Sequence, residues 1–557
     1  MASLLIVSLI GFAVVYLLLW TIIIVTQDEN EPPLAKTSFP FLSPLVGMIR
    51  GGPKFYVDQR DKHNHAIYTL RLPFQKIYVI NSTNLIPALQ KQWRLISFAS
   101  LFAGAGKVVG MSDSACDVMH EHLTDETKNF NYTWVARASA HLTPGSKGLD
   151  EMNRVAIGVV SDEVEALVGE SLKDGKENVI GLQEWVFKSM LLASTDAVYG
   201  GMNPMRDAAV ARAWNTVEQN YLTLVLSPLP KFLTRIFIHK VIQAREAVVS
   251  AFVDFIKKGG TKTASSLLQA KHAHHGEKLR DEDIARTDLG FAYAILGNTG
   301  PAAWWFVYHI FRDENLVRDI REELVSAPGL LTRIDDGGKE GECVMQVELA
   351  KLRNHCPILL STLQETLRYR TVSNSVRRVL EQDVLLDGQY LLKKGSLVML
   401  PHAVQHSSTK AFGEDAREFD HLRFVRGRGQ QGEKQKGGLD RRAFYAFGGG
   451  HETCPGRHFV TMELMALAAL MVLRLDIEPV RAAGEEKGEW IEPSCENSPM
   501  ASGLPYPDED IFVRARERDW SAEEKGQKRK IVDWKVCYSG SETALDIGAE
   551  RDDTGME

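Results

Sequence analysis

The stretch Phe447-Gly448-Gly449-Gly450-His451-Glu452-Thr453-Cys454-Pro455-Gly456-Arg457 concentrates the chemistry of this chain. A lone cysteine sits in a glycine-rich turn that runs straight into an apolar helical pattern, Phe459 to Leu473. Glycines on both sides let the backbone turn sharply and bring its N–H groups near the sulfur. Such donors, with a helix N-terminus behind them, favour thiolate over thiol. A thiolate held this way is a nucleophile or a metal ligand. Read as half a zinc site, His451-x-x-Cys454 lacks the accompanying CxxC pair such sites use.

Phe447, Gly450, Cys454 and Gly456, in the pattern Phe-x-x-Gly-x-x-x-Cys-x-Gly, resemble the haem-binding loop of the cytochromes P-450. The resemblance implies haem b with Cys454 as axial ligand of the iron, in a mainly α fold with a small β-sheet region. Phe447 would then shield the sulfur side, and Gly450 and Gly456 would permit close backbone approach. Relatives often carry a basic residue two positions before the cysteine; this chain has Glu452. Arg377, which aligns with a family arginine that bonds a haem propionate, and His451 are therefore the expected propionate contacts.

Two more elements carry the same resemblance. Glu365-Thr366-Leu367-Arg368 places an acid and a base at i, i+3, on one face of a helix, among Ile358, Leu359, Leu360 and Leu363. It resembles the family's Glu-x-x-Arg pair, whose expected partner is Arg423 in Phe419-Asp420-His421-Leu422-Arg423-Phe424, although His421 and Leu422 replace the usual Pro-Glu. Ile284 to Phe311 is a long apolar stretch interrupted by Gly297-Asn298-Thr299-Gly300-Pro301. Gly and Pro cost about 1 and 3 kcal/mol inside a helix, so either Pro301 starts a second helix or the turn is distorted to admit a ligand. In the family this helix crosses the distal haem face, where an acid–alcohol pair relays protons. Here either Asn298 replaces the acid and Thr299 is the alcohol, or Gly297 replaces the acid and Asn298 the alcohol. The run is similar to the prostacyclin synthase and sterol 7α/12α-hydroxylase branch, which holds both hydroxylases and an isomerase.

The chain of 557 residues, 44% hydrophobic, can bury a large core, and the motifs run in family order across roughly 30 to 517, so one catalytic domain is expected rather than several. A net charge of −7 argues against nucleic-acid binding, and six dispersed cysteines argue for reduced thiols. Leu4 to Val25 carries no charge and is long enough to span a bilayer, which needs about 20 apolar residues. The expected organisation is a membrane anchor over 1–26, a proline-rich hinge over 27–55, the catalytic domain over 56–518 and a charged, disordered tail over 519–557. Ile67–Leu72 and Ile77–Ile80 read as a hairpin, Asp387-Gly388 as a turn, and Phe98 to Val108 as a loop, which the family resemblance implies lies over the haem and touches substrate. The stretch 262–280, with Lys271, His272, His274 and His275, reads as a solvated loop in preference to a metal site. Arg423, Arg426, Arg428, Lys434, Lys436, Arg441 and Arg442 would together put positive charge beside the cysteine face.

By resemblance, the chain is expected to be a single-pass protein of the endoplasmic reticulum membrane with its catalytic domain facing the cytosol. Its expected activity is a monooxygenase that inserts one oxygen atom into a lipophilic small molecule such as a sterol, terpenoid or polyketide-type secondary metabolite. Electrons would come from NADPH through a separate cytochrome reductase, with cytochrome b5 as a second donor, because the chain shows no glycine-rich dinucleotide fingerprint after a strand. An isomerase or dehydratase working without dioxygen, and a non-catalytic haem sensor, are the alternatives.

Overall fold

The computed structural model describes residues 2–172, 178–226, 234, 237–334, 342–425, 439–481, 487–499, 502–520 and 530–540. The N-terminal helix α1 (Ala2–Val25) contains a span, Val7–Val25, of mean hydropathy 2.6 that is long and apolar enough to cross a membrane. The segment after it is stitched to the body rather than hanging as a free hinge. Glu31 is buried, accepting a hydrogen bond from Tyr78 Oη at 2.8 Å and pairing with Lys76 at 2.7 Å. The second half of the expected hinge is helical: α2 spans Leu42–His63, kinked at Gly52 just before Pro53.

Strands β1 (Ile67–Leu72), β2 (Gln75–Ile80), β3 (Ile96–Ser97), β4 (Asn374–Val379) and β5 (Leu397–Pro401) form one sheet in the order β1-β2-β5-β4-β3. β1 and β2 are the antiparallel hairpin the alternating residues predict, turning at Pro73-Phe74. β5 runs parallel to β2 and antiparallel to β4, which fixes Arg377 opposite Val398. Asp387 and Gly388 both adopt positive φ, 52° and 68°, as the turn of a short hairpin requires of them. Residues Ala99–Val109 are helical, not a loop.

Helices supply the main core. α3 (Leu182–Tyr199) and α4 (Ala208–Gln219) flank a broken central pair, α5 (Asp281–Leu296) and α6 (Thr299–Phe311). α6 is buried nearly all round, the signature of a helix inside a large core. Pro301 lies in its first turn, where its missing N–H costs no bond. α7 (Pro357–Arg370) carries the Glu-x-x-Arg pair, and α8 (Arg457–Arg474) follows the cysteine turn.

Two expectations fail because their partners are distant in sequence. The histidine stretch is not a solvated loop: Ser266–Gly276 is a helix in which Lys271, His272, His274 and His275 are all buried. Lys271 Nζ lies 2.7 Å from Asp288 Oδ1 and His272 Nε2 lies 2.9 Å from Asp288 Oδ2, so one carboxylate compensates the buried ammonium and hydrogen-bonds the imidazole. Among the described residues no group of three His, Cys, Asp or Glu side chains could hold a metal ion. The tail is not wholly disordered either. Lys530–Cys537 forms a strand parallel to Glu342–Glu348, and the buried Tyr538 accepts from Asn153 Nδ2 at 2.8 Å. Residues 541–557 lie outside the described residues.

One buried group gives the fold a pH dependence. Glu463 on α8 is fully enclosed; Ser194 Oγ of α3 donates to its Oε1 at 2.8 Å while Oε2 has no partner. Burial pushes this carboxyl up to about 8, so the folded state holds the proton more tightly than the unfolded chain. A raised carboxyl favours folding fully below the unfolded value near 4.5 and loses that contribution as pH rises toward about 8. Glu463→Gln removes this titration. Thermal unfolding from about pH 5 to 8 is expected to show the wild type losing roughly 3–4 kcal/mol relative to the variant as pH rises.

Candidate active site

The cysteine turn is built from backbone constraints. Gly448 and Gly450 have φ of 71° and 62°, and a Cβ on Gly448 would sit 2.9 Å from the Glu452 carbonyl oxygen. Cys454 N donates to Phe447 O at 2.8 Å, closing the loop, while Phe447 packs against the main core. The N–H groups of Gly456 and Arg457 hydrogen-bond to the sulfur, as the glycine pattern anticipates. Burial nevertheless outweighs them and pushes the thiol up. A cation at the sulfur would act in the same sense as those N–H groups and favour the thiolate. Cys454 is at the same time exposed by area.

Behind the turn stands a buried ionic cluster. Glu365, Arg368 and Arg423 side chains are 0%, 1% and 4% exposed. Arg368 meets Glu365 through two parallel bonds of 2.7 Å, from Nε to Oε2 and from Nη2 to Oε1. Its Nη1 donates to the carbonyls of His406 and Ala416, both at 2.7 Å. Arg423 Nε closes on Glu365 at 3.1 and 3.2 Å, and its Nη1 donates to Phe412 O and Asp415 Oδ1. The substitutions at His421 and Leu422 leave this geometry intact. The cluster reaches the cysteine turn in two steps, because His406 Nε2 accepts from Tyr445 N at 2.9 Å, two residues before Phe447. Burial holds His406 well below its ordinary value, so it stays neutral and able to accept.

At the distal break, Thr299 is buried and its hydroxyl donates to Ile295 O at 2.5 Å, inside its own helix. Asn298 is exposed and adopts φ −121°, ψ −18°; its Oδ1 accepts from Gly503 N at 2.9 Å. A Cβ on Gly503 would lie 2.7 Å from that oxygen, so the contact requires glycine there.

The cytochrome P450 family profile matches residues 32–489. The chain belongs to that family. It is 31% identical over 526 residues to a cytochrome P450 monooxygenase, nodJ, of Hypoxylon pulicicidum, covering 94% of this chain and 95% of the relative. A cytochrome P450 monooxygenase of Gibberella zeae is 25% identical, covering 92% of this chain and 93% of the relative. The 7-alpha-hydroxycholest-4-en-3-one 12-alpha-hydroxylase of Oryctolagus cuniculus is 24% identical over 82% of this chain and 88% of its own length. Sterol hydroxylases thus stand among its relatives, in keeping with the branch the distal run resembles. The chain is a cytochrome P450 monooxygenase and its cofactor is haem b.

The residues present fit that group. Cys454 offers an accessible sulfur, and Arg377, 3% exposed, has its Nη1 buried without a partner. An orphaned guanidinium N–H is suited to a propionate. Its Nε is already paired with Glu452 Oε2 at 2.8 Å, while Glu452 Oε1 accepts from Phe98 N. The residue that departs from the family pattern is thus tied to the cation, a contact no local signal announced. His451 does not join Arg377. Its ring stacks on Trp93 at 3.8 Å and lies 3.8 Å from the Glu126 carboxylate, and the residue is exposed. Of the basic loop, Arg442 pairs with Asp440 at 2.9 Å; Arg426, Arg428, Lys434 and Lys436 lie outside the described residues.

Arg368→Ala leaves Glu365 and two carbonyls without their donor in a buried site. It is expected to cost about 3–5 kcal/mol of stability by denaturant unfolding. Arg368→Lys is expected to recover little, because an ammonium cannot reproduce the bidentate fork.

Proposed function

We propose that Cys454 is the axial thiolate of the haem and that the enzyme hydroxylates or epoxidises a lipophilic small molecule of the sterol, terpenoid or polyketide type. The observation that carries this reading is the accessible Cys454 in its glycine turn, with the orphaned Arg377 Nη1 as the second anchor. When bound, haem b supplies the iron chemistry by which one atom of dioxygen enters the substrate. Phe447, Gly450 and Gly456 shape the turn that presents the sulfur. Glu365, Arg368 and Arg423 hold that turn in place from behind.

On the distal side Asn298, not Thr299, is the polar side chain free to serve a bound substrate or water. Thr299 spends its hydroxyl proton on Ile295 O, whereas Asn298 uses only its carbonyl oxygen, on Gly503, and keeps its amide N–H groups for a substrate or water. This supports the alignment in which Asn298 takes the place of the family alcohol. Electrons come from NADPH through a separate reductase, with cytochrome b5 as a second donor, and the protein sits in the endoplasmic reticulum membrane through α1 with its catalytic domain in the cytosol. The absence of a carboxylate at 297–299 favours one further reading, an isomerase or dehydratase that needs neither dioxygen nor reductase.

The test reconstitutes the full-length enzyme with NADPH, reductase and isotope-labelled dioxygen on lipid extracts of the producing cell. One labelled oxygen per product, strictly dependent on NADPH, is expected; product formed from a peroxide without NADPH or reductase would replace the reading by the isomerase. With that substrate, Asn298→Ala is expected to lower product formed per NADPH consumed about tenfold, while Thr299→Val changes it less than threefold, on the scale of one proton-transfer group.

A further inference from the structure

Glu452 stands two residues before Cys454, at a position where relatives often carry a base. Its carboxylate is divided between two partners from distant parts of the chain. Oε2 lies 2.8 Å from Arg377 Nε, and Oε1 accepts from Phe98 N at 3.0 Å. Phe98 directly precedes the helix Ala99–Val109, so the acid sits at a helix start, where the backbone dipole attracts negative charge. The Glu452 and Arg377 side chains are 16% and 4% exposed, so salt and water screen their pairing little.

The pairing decides which way the guanidinium faces. Arg377 belongs to β4 and lies opposite Val398, so the sheet fixes the root of its side chain. A guanidinium is a rigid planar fork: once Nε is aimed at Glu452, Nη1 points away from the acid. That Nη1 is the group left buried without a partner. His402, which feels the Arg377 charge, adds none of its own. Burial first and Arg377 second push it down to about 3, and its ring nitrogens meet the hydroxyls of Ser373 and Ser375. The Glu452–Arg377 pair is itself neutral. A propionate on Nη1 makes the group net negative, whereas a base at position 452 would make the same group net positive.

We propose that Glu452 is a positioning residue for the cofactor: it aims Arg377 Nη1 at a haem propionate and, by its charge, makes the bound haem harder to reduce. This rests on the reading that Cys454 and Arg377 hold the haem. One-electron reduction of the ferric haem by the reductase adds a negative charge, and a carboxylate fixed two residues before Cys454 opposes it where solvent is scarce. Because Glu452 bonds to Phe98 N as well as to Arg377, it joins the cysteine turn to β4 and to the helix Ala99–Val109, and its charge is held at the site.

Spectroelectrochemical titration of the full-length holoenzyme reads the ferric–ferrous equilibrium. Glu452→Gln keeps an oxygen acceptor of the same reach and loses the charge. It is expected to favour the ferrous form about tenfold, a rise of about 59 mV for one electron. Glu452→Asp keeps the charge and is expected to shift the equilibrium less than about threefold. Haem transfer to apomyoglobin reads the propionate contact: Arg377→Gln is expected to release haem at least about tenfold faster than the wild type. Glu452→Leu, which removes the acceptor that aims the guanidinium, is expected to release it at an intermediate rate; should that variant fail to fold, the Gln and Asp variants decide. A Glu452→Gln enzyme that keeps the thiolate-type carbon monoxide band and the wild-type potential overturns the proposal alone, as does wild-type haem release from Arg377→Gln. A haem-loaded wild type without that band overturns the Cys454 reading and this proposal with it.

Discussion

The ion cluster of Glu365, Arg368 and Arg423 is the constraint on which the rest of the cysteine side depends. Two guanidinium groups and one carboxylate in a site with almost no solvent would be costly if any bond were missing. Here the bonds are made: the carboxylate takes both arginines and the Asp420 N–H, and the arginines spread their remaining donors over the carbonyls of His406, Phe412, Asp415, Ala416 and Glu418. A charged group so fully engaged has one arrangement, and it imposes that arrangement on the chain from 406 to 423. Through the neutral ring of His406 it also fixes Tyr445, and with it the start of the turn that carries Cys454. The contribution is positional precision rather than net stability, since buried ion pairs gain little over apolar packing.

The distal side solves a different problem. A central helix apolar enough to be a core element must still offer polar groups to a chamber. Gly297 and Asn298 interrupt it, Pro301 restarts it without losing a bond, and the Thr299 hydroxyl returns to the preceding turn. The interruption exposes the Asn298 side chain on one face and the Gly297 carbonyl toward Tyr506 on another.

Much of this was legible in the sequence where chemistry is local. The glycines around Cys454, the i, i+3 pair on α7, the hairpin of β1 and β2, the apolar α1 and the broken central helix each follow from residues within one or two turns of one another. What escaped depends on distant partners. Lys271 and His272 look solvated because Asp288, which hydrogen-bonds both, belongs to the next helix. Lys530–Cys537 reads as tail because its partner strand begins at Glu342. Glu452 looked like a defect until Arg377, from a strand of the small sheet, came to lie against it.

The reduced carbon monoxide spectrum of the full-length protein tests the central claim, that Cys454 ligates the haem iron, most directly. The wild type is expected to show the strongly red-shifted band of a thiolate-ligated haem, and Cys454→Ala is expected to lose it. Persistence of that band in Cys454→Ala, or its absence from haem-loaded wild type, would contradict the assignment of Cys454.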